Sequence, residues 1–306
     1  MKINNGALVK KMRKELGLSQ ENLAEQLFIS VRQLSRIESG EASMDIWQFI
    51  TTLELLGHPT DDFWLLYLDS HEYDSYRIYK RLKRQMKSSS QSEIKDLIAS
   101  METSPLINQP FIKQLMTLIK ISIEEMPPKE ELEKLQKAME MSKPNFDIVL
   151  VSTYRMTYNE IYIALGMAQS LAILGKHDKA ISMIESIIQA RENIQASEDD
   201  AAALFPSLHF ILSHILISAE RYKEALKAST IALETCREYN NLKNVPEILL
   251  AMATCYYKLE EEEHIYKTHL IRAYHAAYAI GKNDVATHIK NEASNTFGIS
   301  LPVGVF

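Results

Sequence analysis

Between Leu18 and Gly40 the chain reads LSQENLAEQLFISVRQLSRIESG, the pattern of two short helices joined by a tight turn. Ser19 stands where an N-cap belongs, with Asn22 three residues on, and Leu23, Ala24 and Leu27 follow at helical spacing on one face. Phe28-Ile29 breaks that pattern, and Ser30 offers a second N-cap, with Gln33 at the position that closes a capping box. In the second helix Leu34 and Ile37 point inward, which turns Arg32, Gln33, Ser35 and Arg36 outward. Gly40 lies just past its end, where a left-handed C-cap favours a residue without Cβ.

Arg can bond guanine in bidentate fashion, Gln can bond adenine, and the major groove admits one helix, so the outward residues suit base reading. The stretch resembles the helix-turn-helix of the phage-repressor and Xre class in Leu16-Gly17-Leu18-Ser19-Gln20, Leu23-Ala24, Leu27, Ile29-Ser30, Leu34-Ser35, Ile37-Glu38 and Gly40. A small residue, often Gly, is usual in that class where this chain has Phe28. The resemblance covers about the first 68 residues. It implies that Val31, Arg32 and Arg36 read bases, that Ser30, Gln33 and Ser35 neighbour them, and that Gln20 grips a phosphate. It also implies a buried ion pair between Arg13 and Glu38, which removes Arg13 from the DNA contacts.

A formal net charge of −6 over 306 residues confines any DNA-binding face to a local basic patch. Lys10, Lys11, Arg13, Lys14, Arg32 and Arg36 provide one, whereas the latter half carries acidic runs such as Glu198-Asp199-Asp200 and Glu260 to Glu263. With only Cys236 and Cys255, no secretory leader and no apolar run of membrane length, the expected compartment is a reducing cytoplasm and the thiols are expected to fill the core. His209 with His214 and His264 with His269 stand five apart, on different sides of a helix, so no metal site is expected. No phosphate loop, nucleophile elbow or carboxylate pair is present, so neither cofactor nor catalysis is expected.

Five helices are expected to close the N-terminal domain, residues 1–69. The first covers Ala7 to Leu16, with Leu8, Met12 and Leu16 on one face. The fourth is capped by Ser43 or Asp45 and buries Ile46, Phe49, Ile50, Leu53 and Leu56 up to Gly57; the fifth runs from Thr60 or Asp61 through Leu68. A basic, tyrosine-rich helix from Tyr73 to Lys87 and the SSSQS loop form a linker over residues 70–92. That helix could add phosphate contacts, but the simpler reading is a solvated linker packed by its tyrosines.

Residues 93–306 read as helix throughout, over about 92–102, 106–125 and 129–142 and then in longer segments. Pro105, Pro127-Pro128, Pro144, Pro206 and Pro246 are all expected at helix starts. Residues 165–188 and 212–233 share a pattern of small and large positions around a turn, with Ala180 and Ala225 as matching second-helix alanines. The pattern resembles the tetratricopeptide repeat, although 225 − 180 = 45 positions exceeds the usual period of about 34. Residues 249–281 form a weaker third unit that keeps Ala253 and Tyr256. The expected fold class is therefore all-α: a helix-turn-helix domain followed by a superhelical array of degenerate helical pairs.

Together the two parts resemble the peptide-pheromone-responsive regulators of Gram-positive bacteria, the Rgg and PlcR type of the RRNPP group. The resemblance implies a cytoplasmic, homodimeric transcription factor of quorum sensing that binds an inverted-repeat operator on double-stranded DNA, with a repeat domain that takes a short hydrophobic signalling peptide. The first helices of such pairs line a groove suited to an extended peptide. By repeat register Asn159, Tyr162 and Gln169 share the groove face, with Arg155 one turn earlier able to receive a peptide carboxylate. Asn159 is the leading candidate, because an amide can bond both N–H and C=O of a peptide backbone; a satisfied polar residue in the packing is the competing reading. The same register selects Ser207, Phe210 and His214, then Glu247, Leu250, Thr254 and Tyr257. An array that binds a partner protein instead of a peptide is the alternative. The apolar end from Ile299 to Phe306 is expected to dock rather than fray, on the last helices, a dimer partner or the groove.

Overall fold

The computed structural model describes residues 6–57, 70–85, 91–195 and 198–301. The chain divides into two compact units, residues 1–113 and 114–306.

In the first unit α1 spans Gly6–Glu15, α2 Gln20–Gln26, α3 Val31–Glu38, α4 Ile46–Leu55, α5 Ser70–Gln85 and α6 Gln91–Glu102. Leu8, Val9, Met12, Leu23, Leu34, Ile37, Phe49 and Leu53 form one buried cluster. Leu16 leaves the expected stripe, because α1 stops at Glu15 and Leu16 is 54% exposed. A Cβ on Gly6 would lie 1.6 Å from the Ile37 carbonyl oxygen, so this glycine lets α1 meet the end of α3. Asp45 rather than Ser43 caps α4, in a reciprocal box with Gln48. The expected linker helix packs into this unit. Tyr76 joins its core, Arg77 pairs with Glu15 at 2.9 Å, and Lys11 pairs with Asp74 at 2.5 Å. The expected fifth helix lies in residues 58–69, outside the described residues, as do 88–90 of the SSSQS loop, whose last two residues begin α6.

A 3-10 turn at Pro105–Asn108 leads to α7, Pro110–Ile123. The second unit continues with α8 (Pro128–Glu140), α9 (Tyr158–Ile173), α10 (His177–Gln189), α11 (Glu198–Ser218), α12 (Tyr222–Glu238), α13 (Val245–Lys258), α14 (Glu263–Ala279) and α15 (Asn283–Asn295). Helices α9/α10, α11/α12 and α13/α14 are the three pairs. Ala180 and Ala225 are both fully buried, which lets the paired helices approach closely. The first helices touch in series, α9 on α11, α11 on α13 and α13 on α15, whereas among the described residues α10, α12 and α14 make no comparable contact with one another. The first-helix layer is therefore the tighter, inner side of the curve.

The long spacing between Ala180 and Ala225 has two sources. Helix α11 is 21 residues long, and a crossing segment pairs Met156-Thr157 with Ile194-Gln195 as a two-residue parallel bridge, β1 with β2. Each pair turns through a left-handed residue, Gly175 (φ 76), Glu220 (φ 59) and Glu260 (φ 57). At each turn the following N–H reaches back to a carbonyl five residues earlier, as from Arg221 to Leu216 at 2.9 Å.

Two of the expected proline starts are corrected. Pro144 lies in the turn after α8, with left-handed Asn145 next, and Pro206 lies inside α11. An interior proline strands the carbonyl four residues back. Here that carbonyl, of Ala202, accepts a bond from Asn241 Nδ2 at 2.7 Å, so a side chain from the end of α12 replaces the missing backbone donor. The stretch Asp200–Ser218 of α11 is long and apolar enough to cross a membrane by length and composition, contrary to the sequence expectation. It is packed by α9, α10, α12 and α13, with Leu204, Leu208, Leu212 and Ile215 buried. Cys236 and Cys255 are buried, and desolvation pushes their thiols up to about 11 and about 12. Ile299 and Leu301 dock in the last hydrophobic cluster, after Gly298 turns the chain at φ 67 and Ile299 N–H bonds Ala293 O at 2.8 Å. Residues 302–306 of the expected docking tail lie outside the described residues.

Candidate functional site

Two surfaces gather the residues singled out in the sequence. The first is the outer face of α3. Ser19 Oγ accepts from Asn22 N–H and Ser30 Oγ from Gln33 N–H, each at 3.1 Å, so both helices of the pair start on serine caps. At α3 the structure records the Ser30 half of the expected capping box. Leu34 and Ile37 are buried, while Val31, Arg32, Gln33, Ser35 and Arg36 are exposed. Arg36 has a loose partner in Glu41 at 3.9 Å, with both side chains more than half exposed, a weak restraint.

Behind this face Arg13 and Glu38 form a bidentate pair, Nε to Oε1 at 2.6 Å and an NH2 nitrogen to Oε2 at 2.9 Å. Arg13 also donates to the Leu18 carbonyl at 2.6 Å, which ties the end of α3 to the segment that opens α2. Burial alone would raise the Glu38 pKa, but the bonds from Arg13 and Gln20 and the charge of Arg13 hold it below the usual carboxylate range. Gln20 donates its amide to Glu38 Oε2 at 2.8 Å, so this residue, expected at a phosphate, is tied to the ion pair.

Phe28 ends α2 with φ 54 and is 96% exposed. Its N–H bonds Glu25 O, and Ile29 N–H bonds Ala24 O, the arrangement in which glycine is usual. The unusual Phe therefore keeps the turn geometry at the cost of backbone strain.

The second surface is the inner layer of first helices. Thr157 and Glu160 cap α9 reciprocally, and Glu160 also accepts from Ser142 Oγ at 2.5 Å and Lys143 Nζ at 2.9 Å. Burial works against the charge of Glu160, but these bonds and Lys143 lower its pKa. This lock fixes the first turn of α9, where Asn159 is 5% exposed and Tyr162, one turn on, is half-buried. Gln169 and Arg155 are exposed, Arg155 in the segment ahead of the bridge. Desolvation raises the Tyr162 pKa, against hydrogen bonds to Tyr158 and Ser207. Ser207 donates to Ala203 O at 2.8 Å and accepts from Asn244 Nδ2 at 3.3 Å. Tyr162, Ser207 and Asn244 therefore connect α9, α11 and the start of α13.

Further along, Phe210 and His214 meet edge to face with centroids 4.6 Å apart. His214 is open to solvent, yet desolvation by the surrounding protein lowers its pKa, with Glu247 acting in the opposite sense. Glu247 pairs with Lys282 Nζ at 2.6 Å. Thr254 returns its hydroxyl to Leu250 O at 3.0 Å, while Tyr257 packs edge-on against Tyr266 and Phe297. The structure thus joins Tyr162 with Ser207 and His214 with Glu247, but draws Tyr257 into an aromatic cluster near the chain end. Tyr158, Asn244 and Lys282 belong to the layer and were missed in the sequence. Asn244 carried a signal, an Asn two residues before Pro246, where a helix opens.

Residues 6–68 match the family model described as a helix-turn-helix domain. No curated sequence matches the chain significantly. Solved structures similar to the chain include Bacillus thuringiensis PlcR in complex with the peptide PapR7 and DNA, with TM-score 0.68, 19% identity, and coverage of 94% of this chain and 99% of that one. S. thermophilus ComR in complex with DNA and its signalling peptide ComS gives TM-score 0.58 at 17% identity, covering 96% of this chain and 99% of that one. The Streptococcus dysgalactiae SHP pheromone receptor Rgg2 gives 0.50 at 15% identity, covering 95% and 99%. At these identities the likeness establishes the fold: an N-terminal helix-turn-helix followed by a helical array along nearly the whole chain.

Proposed function

We propose that this chain is a sequence-specific DNA-binding transcriptional regulator of the RRNPP type, whose helical array binds a short signalling peptide that controls the DNA-binding unit. The observation that carries the reading is α3: a helix held from behind by a buried bidentate ion pair, with Arg32, Gln33 and Arg36 exposed on its outer face. The array supplies the second half, since PlcR and ComR, whose folds it shares, were solved with both a peptide and DNA. The protein acts by binding rather than catalysis, as a cytoplasmic homodimer. Gln20, already bonded to Glu38, would pass its carboxamide contact on to a phosphate and so couple backbone grip to the ion pair. Tyr162, half-buried, and His214, exposed, would meet the peptide, while Asn159 and Ser207, both buried, would support the layer from within.

Selection from a randomised duplex pool by the full chain tests this. An inverted repeat should emerge, with half-site centres about 34 Å apart or a multiple of that. Arg32→Ala should cost about 1–3 kcal/mol on the selected site and relax preference at one base pair. Unchanged selectivity in both Arg32→Ala and Arg36→Ala would overturn the assignment of the reading face. A monomer by sedimentation at working concentration would overturn the dimer.

A further inference from the structure

Among the described residues, the inner layer carries one carboxylate whose bonding is incomplete. Glu247 stands in the first turn of α13, and its Oε1 is paired with Lys282, while Oε2 is buried with no hydrogen-bond partner. A carboxylate offers about four acceptor sites, and leaving a buried oxygen unbonded is costly. Besides Lys282, the charge of Glu247 reaches His214 on α11 and Cys236 on α12. Neither supplies a cation at neutral pH, because desolvation pushes the imidazole of His214 down and the Cys236 thiol carries no positive charge. His214 is open to solvent and touches Phe210 edge-on. At the α9 end of the same layer Arg155 is exposed, a cation at the opposite end from Glu247.

We propose that Glu247 is the receptor for a primary ammonium, the free N-terminus of a peptide that runs along the inner layer with its C-terminal carboxylate towards Arg155. The inference rests on the peptide-binding reading above and adds the direction of the peptide and the chemistry of its ends. When the ammonium arrives, the Glu247 side chain, a quarter exposed, turns Oε2 towards the donor it lacks. Lys282 stays on Oε1, so the ligand's ammonium is the one cation the site gains.

The probe is a degenerate heptapeptide pool of Leu, Ile, Val, Phe, Ser, Gly and Asp, prepared with free and with N-acetylated termini. A third pool is N-acetylated and carries one Lys. Peptides retained by the full chain are read by mass spectrometry. The free-amine pool should be enriched at least tenfold over its acetylated counterpart. Glu247→Gln should bring that ratio to near one with the melting temperature followed in parallel, and Lys282→Gln, which leaves the carboxylate in place, should raise it even if Glu247→Gln folds poorly. Equal retention of free and acetylated pools would overturn the ammonium receptor and leave peptide binding intact. Equal enrichment of the acetylated Lys pool would overturn the direction. Retention of no peptide at all would overturn this proposal together with the function on which it rests.

Discussion

The two units place their buried charge differently. In the helix-turn-helix unit one ion pair among the described residues, Arg13 with Glu38, is buried at the junction of three segments, α1, the start of α2 and the end of α3. In the array the polar bonds are spread: Glu160 at the start of α9, Tyr162 with Ser207 between α9 and α11, Asn241 on Ala202, and Glu247 with Lys282. A small core with one focal pair fails as a whole when the pair is cut. A stack of helical pairs, in which each contacts only its neighbours, loses stability locally.

The largest expected effect breaks the focal pair. Glu38→Ala leaves the Arg13 guanidinium buried without a counter-charge and should cost about 3–5 kcal/mol. Calorimetry should then show the melting of the first unit shifted while the transition of the array stays in place. One transition moving as a whole would refute the contrast. The sign of the pH dependence follows from the lowered Glu38 pKa. Its contribution is fully present above the unfolded carboxylate value of about 4.5 and is lost as pH falls through the folded one. A Glu38→Gln variant should flatten that acid limb for the first unit. Glu160, also lowered, gives the array an acid limb of its own that Glu38→Gln leaves untouched.

The second expected effect is local. Asn241→Ala should cost about 1–3 kcal/mol, because the Ala202 carbonyl loses the donor that stands in for the missing backbone N–H. In a Pro206→Ala background residue 206 recovers an N–H that can bond Ala202, so the same Asn241→Ala change should cost little. The cycle, measured by urea unfolding, isolates the coupling between two positions 35 apart in sequence, 241 − 206. Equal costs in both backgrounds would show that Asn241 serves some other contact.

What the sequence made legible follows the same division. The paired serines, Leu34 and Ile37 inward, and Arg32 and Arg36 outward are local signals within a few residues, so α2 and α3 could be read from the motif alone. The Arg13 to Glu38 bond spans 25 positions and was legible only through family resemblance. In the array the left-handed turns at Glu220 and Glu260 gave no signal, because glutamate takes the role that glycine has at the Gly175 turn. Pro206 misled, since its compensating donor sits beyond α12. The bridge of Met156-Thr157 with Ile194-Gln195 was invisible, because two residues are too short for alternation to show. The inner-layer candidates lie between these limits: repeat register puts Tyr162, Ser207 and Glu247 on first helices, as the structure does, but could not tell that Tyr257 would be claimed by Phe297.

The smallest expected effect sharpens the contrast at one residue. Phe28 holds a left-handed φ in the first unit, as Glu220 and Glu260 do in the array, but its large side chain is almost entirely in water and gains nothing from packing. The left-handed penalty for a non-glycine residue is about 1–2 kcal/mol, and glycine gives back about 0.5–1 kcal/mol in backbone entropy. Phe28→Gly should therefore stabilise the first unit by about 0.5–1 kcal/mol, read as a rise in its melting temperature, while Glu220→Gly raises only that of the array. If Phe28→Gly lowers the melting temperature of the first unit, the ring contributes packing that its exposure conceals. If stability rises as expected but affinity for a selected operator falls, the strain at Phe28 is retained for what the ring touches on DNA.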